Sequence, residues 1–376
     1  MALLSLLLLV PGSVTAATDS DGDGLGDAFE TRWGVSDPGN PDSDGDGVVD
    51  PAEDGDGDRL GDLGEQRFGT NPAAWDSDGD GRSDGRDDSD GDGRSDALEQ
   101  DQRPLPAGLR PALARAPRDL WARQEDCGGP RWASTTPKRC WFGDPASPVT
   151  MAVVGDSKAT MFMPAFIAAA RQRGWRVVTL LKGTCSPVLR TTNTQQYVFD
   201  GGRSCDGWRR RVIDWLRSAR PALIVYAHSD DYGLVDAAGD TITGRRKGQA
   251  WERGAAATTA QLPAASGILW LGDVPRNDDN PVRCLQAHRQ DMSACATRRQ
   301  SPAAREMEAA LRRGVTDAGA RFSTLHDQVC TYDPCPLVQG DTLLWRDDAH
   351  LTVTFSRQLA PSLGPLLDAA LPASRP

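Results

Sequence analysis

The chain has 376 residues, enough for two domains, and a formal net charge of −11. That charge is split: residues 18–103 hold 27 Asp and Glu against 7 Lys and Arg, a net −20, while the remainder carries +9. The acidic part cannot bind nucleic acid by neutralising phosphates, and the basic part has no stripe of basic residues interleaved with aromatics, so nucleic-acid binding is excluded as a reading.

Residues 1–17 read as an export signal. An apolar run over 2–10 is broken by Pro11 and Gly12, and Val14, Thr15, Ala16 and Ala17 suit cleavage after Ala16 or Ala17. The run is shorter than the roughly 20 apolar residues of a membrane span. No Lys or Arg precedes it in the sequence. Eight cysteines, all beyond residue 126, agree with export, because an even set in an exported chain reads as disulfides. Their order along the chain suggests nearest-neighbour pairs: Cys127 with Cys140, Cys185 with Cys205, Cys284 with Cys295 and Cys330 with Cys335. The expected location is secreted, periplasmic or at the cell surface.

Five copies of one acidic frame fill residues 19–99. The first places Asp19, Asp21, Asp23, Asp27 and Glu30 at positions 1, 3, 5, 9 and 12, with Gly24 at position 6. The second supplies Asp42, Asp44, Asp46, Asp50 and Glu53, and the third Asp54, Asp56, Asp58, Asp62 and Glu65. The fourth supplies Asp76, Asp78, Asp80, Asp84 and Asp87, and the fifth Asp88, Asp90, Asp92, Asp96 and Glu99. This is the ligand spacing of an EF-hand loop, in which hard oxygens surround Ca²⁺ and glycine makes the sharp turn. The third copy has Arg59 where the turn asks for glycine, and the fourth ends in the shorter Asp87. A solvated acidic linker needs negative charge but not five aligned frames. The segment has few apolar residues, so divalent cations must cancel its self-repulsion before it compacts. The region resembles thrombospondin type-3 repeats, a resemblance that implies structural Ca²⁺ and no catalysis. Residues 104–145 form a Pro- and Arg-rich connector.

From residue 146 the pattern predicts an α/β domain. Strands are expected at 149–154, 176–181, 222–227, 267–271 and 321–325, with helices at 158–173, 206–219, 249–262, 302–318 and 352–370. Alternation of this kind argues for a parallel sheet covered on both faces, with sites at the carboxyl ends of its strands. Ser157 stands at such an end, after Gly155 and Asp156, where helix-start N–H groups can hold an oxyanion. A serine needs a base, and the histidines are His228, His288, His326 and His350. His350 stands out: Asp347 lies three residues before it and can orient the ring, with Asp348 as the neighbouring alternative. Gly-Asp-Ser alone also reads as ordinary helix capping. The conjunction with Asp-x-x-His before the last helix is what points to a site.

These blocks, Gly155-Asp156-Ser157 and Asp347-Asp348-Ala349-His350, resemble the SGNH (GDSL-type) hydrolases. The similarity is greatest to the SGNH domain fused to acyltransferase-3 proteins, whose cysteine pattern is also similar, and it covers about residues 138–372. It implies a three-layer α/β/α sandwich with Ser157 as nucleophile, His350 as base and Asp347 as orienter. It also implies an oxyanion hole of Ser157 N–H and Gly183 N–H, and no cofactor for catalysis. Two positions depart from the pattern. Lys158 stands where the subgroup often has His, and residues 227–231 lack the usual Asn, leaving His228 as a candidate third donor. The implied function is an exported serine esterase or O-acyltransferase acting on O-acyl groups, chiefly O-acetyl, of surface glycan or peptidoglycan. Any membrane acyl donor would be a separate partner. The alternatives are an α/β-hydrolase, whose acid and His usually lie further apart, and a non-catalytic, calcium-dependent surface adhesin.

Overall fold

The structure is a computed structural model that describes residues 18–129, 133–190, 192–193, 200–236, 238–297 and 300–372. The expected export signal, residues 1–17, lies outside the described residues. No helix among the described residues is long and apolar enough to cross a membrane.

The large sheet has six strands: β1 (Trp141–Gly143), β2 (Thr150–Gly155), β3 (Arg176–Leu181), β4 (Leu223–Ala227), β5 (Gly267–Leu271) and β6 (Arg321–Ser323). Their order is β1-β3-β2-β4-β5-β6, parallel except for β1, which pairs antiparallel with β3. The apolar runs of β2 to β5 are buried on both faces, as a covered parallel sheet requires. Met151, Val153, Leu223 and Val225 pack on one side with Phe162, Phe166, Leu363 and Leu367. Ala152, Val154, Ile224 and Tyr226 pack on the other with Trp208, Val212, Trp251 and Leu311. The helices behind these contacts are α1 (Ser157–Gln172), α2 (Arg203–Ala219), α3 (Gly244–Thr259), α4 (Pro302–Asp317), α5 (Val353–Gln358) and α6 (Ala360–Ala370). The chain is thus a three-layer α/β/α sandwich preceded by a largely non-regular segment.

Besides shifts of bounds, such as the helix expected over 249–262 that runs Gly244–Thr259, three details differ from the pattern. The expected helix over 352–370 is two helices joined at Leu359. The expected strand over 321–325 stops at Ser323. The stretch expected to be a connector supplies edge strand β1, and it buries Leu113, Ala116, Trp121 and Cys127 in the core. All four nearest-neighbour disulfides are formed, and none of the described cysteines is free.

In the acidic region all five frames close alike. The position-9 N–H donates to the carbonyl just before position 1: Asp27 to Thr18, Asp50 to Pro41, Asp62 to Glu53, Asp84 to Trp75 and Asp96 to Asp87, at 2.7–3.1 Å. The position-6 N–H donates to the position-1 carboxylate in every copy. Arg59 keeps this turn at φ 88°, beside 93–113° for the glycines at the same place. The region docks on the α/β unit: Tyr332 donates to Asp101 at 3.0 Å, Gln328 to Asp46 at 3.4 Å, and Ser362 to the Asp46 carbonyl.

Candidate active site

The turn from β2 into α1 explains why Gly-Asp-Ser stands there. A Cβ on Gly155 would lie 1.8 Å from the Ala227 carbonyl oxygen, so β2 and β4 meet only over glycine. Asp156 caps the helix by accepting from Lys158 N–H at 2.8 Å. Its other oxygen accepts from Ser229 N–H at 3.0 Å and Tyr232 O–H at 2.7 Å, which pins the loop after β4. Burial pushes its carboxyl above the usual range, against the pull of His228 and these donors.

Ser157 begins the helix half-buried, with its Oγ 2.9 Å from His350 Nε2. His350 Nδ1 lies 2.9 and 3.1 Å from the two oxygens of Asp347. Asp347 Oδ1 also accepts from the N–H groups of Ala349 and His350 at 2.9 and 2.8 Å. Burial alone would raise Asp347. The His350 hydrogen bond and charge, the Ala349 N–H and Arg346 outweigh it and hold the carboxyl at about 2. A hydroxyl aligned with an imidazole that is itself held by a carboxylate can deliver a nucleophile and take up its proton.

Asp348 points elsewhere, pairing with Arg276 at 2.6 Å, so Asp347 is the residue that meets His350. Lys158 is buried and reaches Asp273 at 2.7 Å and the Ala349 carbonyl at 2.6 Å, bracing the loop that carries His350. Gly183 lies just past β3, in open space on its Cβ side. His228 Nδ1–H donates to the Ser229 carbonyl at 2.7 Å, and the ring stacks on Trp251 and meets the edge of Trp270. No hydrogen bond joins it to Ser157 among the described residues. Sequence reasoning missed the ties of Asp156, Lys158 and Asp273. The one available signal was Asp273's place beyond a parallel strand's carboxyl end.

The acidic frames gather carboxylates as their spacing predicts, and also across copies. Asp19, Asp21 and Asp23 present oxygens within 4.8 Å of one another, as do Asp42, Asp44 and Asp46, and Asp54, Asp56 and Asp58. Asp50 joins Asp23 and Glu30 of the preceding frame, and Asp84 joins Asp58 and Glu65. Two position-9 residues, Asp50 and Asp84, thus reach the preceding frame, while Ser20, Ser43, Ser77 and Ser89 hold Asp27, Asp50, Asp84 and Asp96 within their own. Buried oxygens of Asp21, Asp23, Glu30, Asp56, Asp62 and Glu65 have no hydrogen-bond partner among the described residues. Burial, with carboxylate neighbours second, pushes Asp62 to about 9, and burial pushes Glu65 to about 8. Oxygen-only clusters with unpaired buried oxygens fit a hard divalent cation.

Among solved structures, the chain is similar to the periplasmic domain of the lipopolysaccharide acetyltransferase of Salmonella ser. Paratyphi A, at 15% identity and TM-score 0.48, covering 59% of this chain and 84% of that one. It is also similar to the aryl esterase of M. smegmatis, at 10% and 0.34 over 59% and 100% of the two chains. A carbohydrate acetylesterase from Sinorhizobium meliloti matches at 11% and 0.36, over 59% and 99%. No curated protein matches the chain. Residues 125–365, well over half of the chain and including Ser157, Asp347 and His350, match the family of SGNH domains fused to AT3 domains, and the chain belongs to that family.

Proposed function

We propose that the protein is an exported serine esterase or O-acyltransferase acting on O-acyl groups, O-acetyl foremost, of cell-surface glycan or peptidoglycan. The observation that carries this reading is the unbroken line of hydrogen bonds from Ser157 through His350 to Asp347 at the sheet's carboxyl edge. Ser157 Oγ attacks the ester carbonyl while His350 Nε2 takes its proton. The tetrahedral oxyanion rests on the N–H groups of Ser157 and Gly183. His350 then protonates the leaving alcohol, and an acyl-serine remains. Water attacking that ester makes an esterase, and a sugar hydroxyl makes a transferase. A transferase would take its acyl group from a separate membrane partner. The four disulfides and the signal-like residues 1–17 support export. Residues 19–99 hold structural Ca²⁺, with positions 1, 3, 5 and 12 of each frame and the position-9 carboxylates as ligands, and the ion supplies only the charge that lets the acids fold together.

The test is to incubate the purified protein with O-acetylated glycans, with and without a free acceptor sugar. Release of acetate or appearance of acetylated acceptor is expected, together with fluorophosphonate labelling at Ser157. A folded protein that does neither and resists the label contradicts the reading and favours a binding protein.

A further inference from the structure

A cleft of about 560 Å³ is bounded by the segment after β3, the start of α2 and one side of α3. Five arginines line it: Arg190, Arg209, Arg210, Arg246 and Arg253. The acids in its walls are Asp206 and Asp236, which leaves a formal charge of +3. Arg246, Ala250 and Arg253 follow the i, i+4, i+7 spacing that puts side chains on one face of a helix.

Two of the arginines are fixed in place. Arg209 is buried, donates to the Ser186 carbonyl at 2.8 Å and pairs with Asp206. The Cys185–Cys205 disulfide joins the chain neighbours of Ser186 and Asp206, which holds both partners of Arg209. Arg190 is half-buried, and its Nε donates to the Ala250 carbonyl at 3.0 Å. Its stem lies across Gly254, where a Cβ would come within 2.6 Å of Arg190 Cγ. The two Nη groups of Arg190 have no partner among the described residues, and Arg210, Arg246 and Arg253 make no hydrogen bond or ion pair there. The sequence outside the described residues holds no Asp or Glu, so no acidic side chain from those segments can serve as countercharge.

Burial first and Arg253 second pull the Arg190 guanidinium below its ordinary value. Burial does the same to Arg209, against the pull of Asp206 and with the help of Arg210. Like charges gathered partly out of water repel, and an anion that joins them removes that cost. A carboxylate would cancel one of the three charges. A phosphate monoester cancels about two and offers three oxygens to several guanidinium forks.

We infer that this cleft is a phosphate-monoester site, with Arg190, Arg246 and Arg253 gripping the phosphate oxygens. No hydrogen bond among the described residues joins its arginines to Ser157, Asp347 or His350, so the site binds its ligand apart from the reacting ester. A soluble ester and a lipid headgroup both present such a group, and the test separates them.

The experiment uses the full, disulfide-intact chain in calcium-containing buffer. Calorimetry titrates glycerol 3-phosphate, with acetate as the singly charged comparison. Glycerol 3-phosphate should bind at millimolar concentration or below, and acetate at least about tenfold more weakly. Arg246→Gln with Arg253→Gln, two exposed positions whose loss does not threaten folding, should weaken glycerol 3-phosphate by at least about tenfold. Arg190→Gln should weaken it by about as much. Arg245→Gln removes the same charge from an exposed neighbour that does not line the cleft, and should leave binding near that of the wild type. Vesicles of phosphatidic acid in phosphatidylcholine identify the source. Cosedimentation of the wild-type protein that Arg246→Gln with Arg253→Gln abolishes supports the site with a lipid ligand. Binding of glycerol 3-phosphate without cosedimentation supports it with a soluble one. Neither glycerol 3-phosphate binding nor cosedimentation would overturn the proposal. So would acetate binding as tightly as glycerol 3-phosphate, binding indifferent to Arg190→Gln and to the double substitution, or an equal loss on Arg245→Gln.

Discussion

At the scale of single residues, Asp347 is the group whose environment says most. Its carboxyl sits at about 2 because His350, the Ala349 N–H and Arg346 together outweigh the cost of burial. Its folded value lies below the ordinary carboxylate value, so its stabilisation is present above about pH 4 and is lost as pH falls through about 2. The amount is at most about 2 kcal/mol. Chemical denaturation of Asp347→Asn should therefore show a deficit near neutral pH that closes toward pH 2; a deficit constant with pH would contradict this. Turnover of Asp347→Asn should fall by about 10³–10⁴ and that of His350→Ala by up to about 10⁶, since orienting a base is less essential than having one. The triad residues were legible in the sequence because each lies in a short block next to a strand end or a helix start. Asp156 was legible only as a helix cap. Its partners Ser229 and Tyr232 lie 73 and 76 positions away, and no local pattern announces a tie of that length. The same holds for Lys158, whose partners Asp273 and Ala349 come from the segment after β5 and the loop before α5.

At the scale of elements, the sheet was readable where strands were long and buried on both faces. Each expected strand from 149 to 271 formed within a residue of its expected bounds. Strand β1 was not readable, since three residues carry no periodicity and Trp141 remains exposed. The break at Leu359 falls two residues before Pro361, which lacks an N–H and suits only the first turn of a new helix; α5 and α6 both lie against α1. In the acidic frames the turn chemistry was readable residue by residue except at Arg59, whose lack of glycine argued against a turn that the structure keeps. Arg59 holds a backbone at φ 88°, a region that costs a side-chain-bearing residue about 1–2 kcal/mol, partly offset in glycine by about 0.5–1 kcal/mol of lost chain entropy. Arg59→Gly should therefore raise the thermal midpoint of the calcium-loaded protein by about 1–2 °C. A fall in the midpoint would show that the Arg59 side chain contributes more than its backbone costs.

At the scale of the whole molecule, the acidic frames and the α/β unit are joined through a few contacts. Tyr332 packs where a Cβ on Gly61 would come within 2.8 Å, and it bonds Asp101. Removing the proposed cation from the frames should leave many carboxylates uncompensated, including the buried oxygens of Glu65 and Asp62. Chelation should therefore increase the scattering radius and lower the thermal midpoint. Readdition of Ca²⁺ at about 10⁻⁴–10⁻³ M should reverse both. Because no hydrogen bond among the described residues reaches from the frames to Ser157, His350 or Asp347, aryl acetate turnover should persist through chelation. A radius insensitive to chelation would contradict the calcium reading, and loss of turnover would show that the frames help build the site. The docking itself was not legible in the sequence, because Asp46, Gln328 and Ser362 belong to segments that no local signal links.

The central claim is that Ser157 is the acyl-forming residue, and the most direct test is turnover of the folded, disulfide-intact Ser157→Ala protein on an aryl acetate. The account predicts a loss on the order of 10⁴–10⁶-fold, with only binding and oxyanion stabilisation left. Turnover within about tenfold of wild type, far short of the loss expected for a triad member, would contradict it.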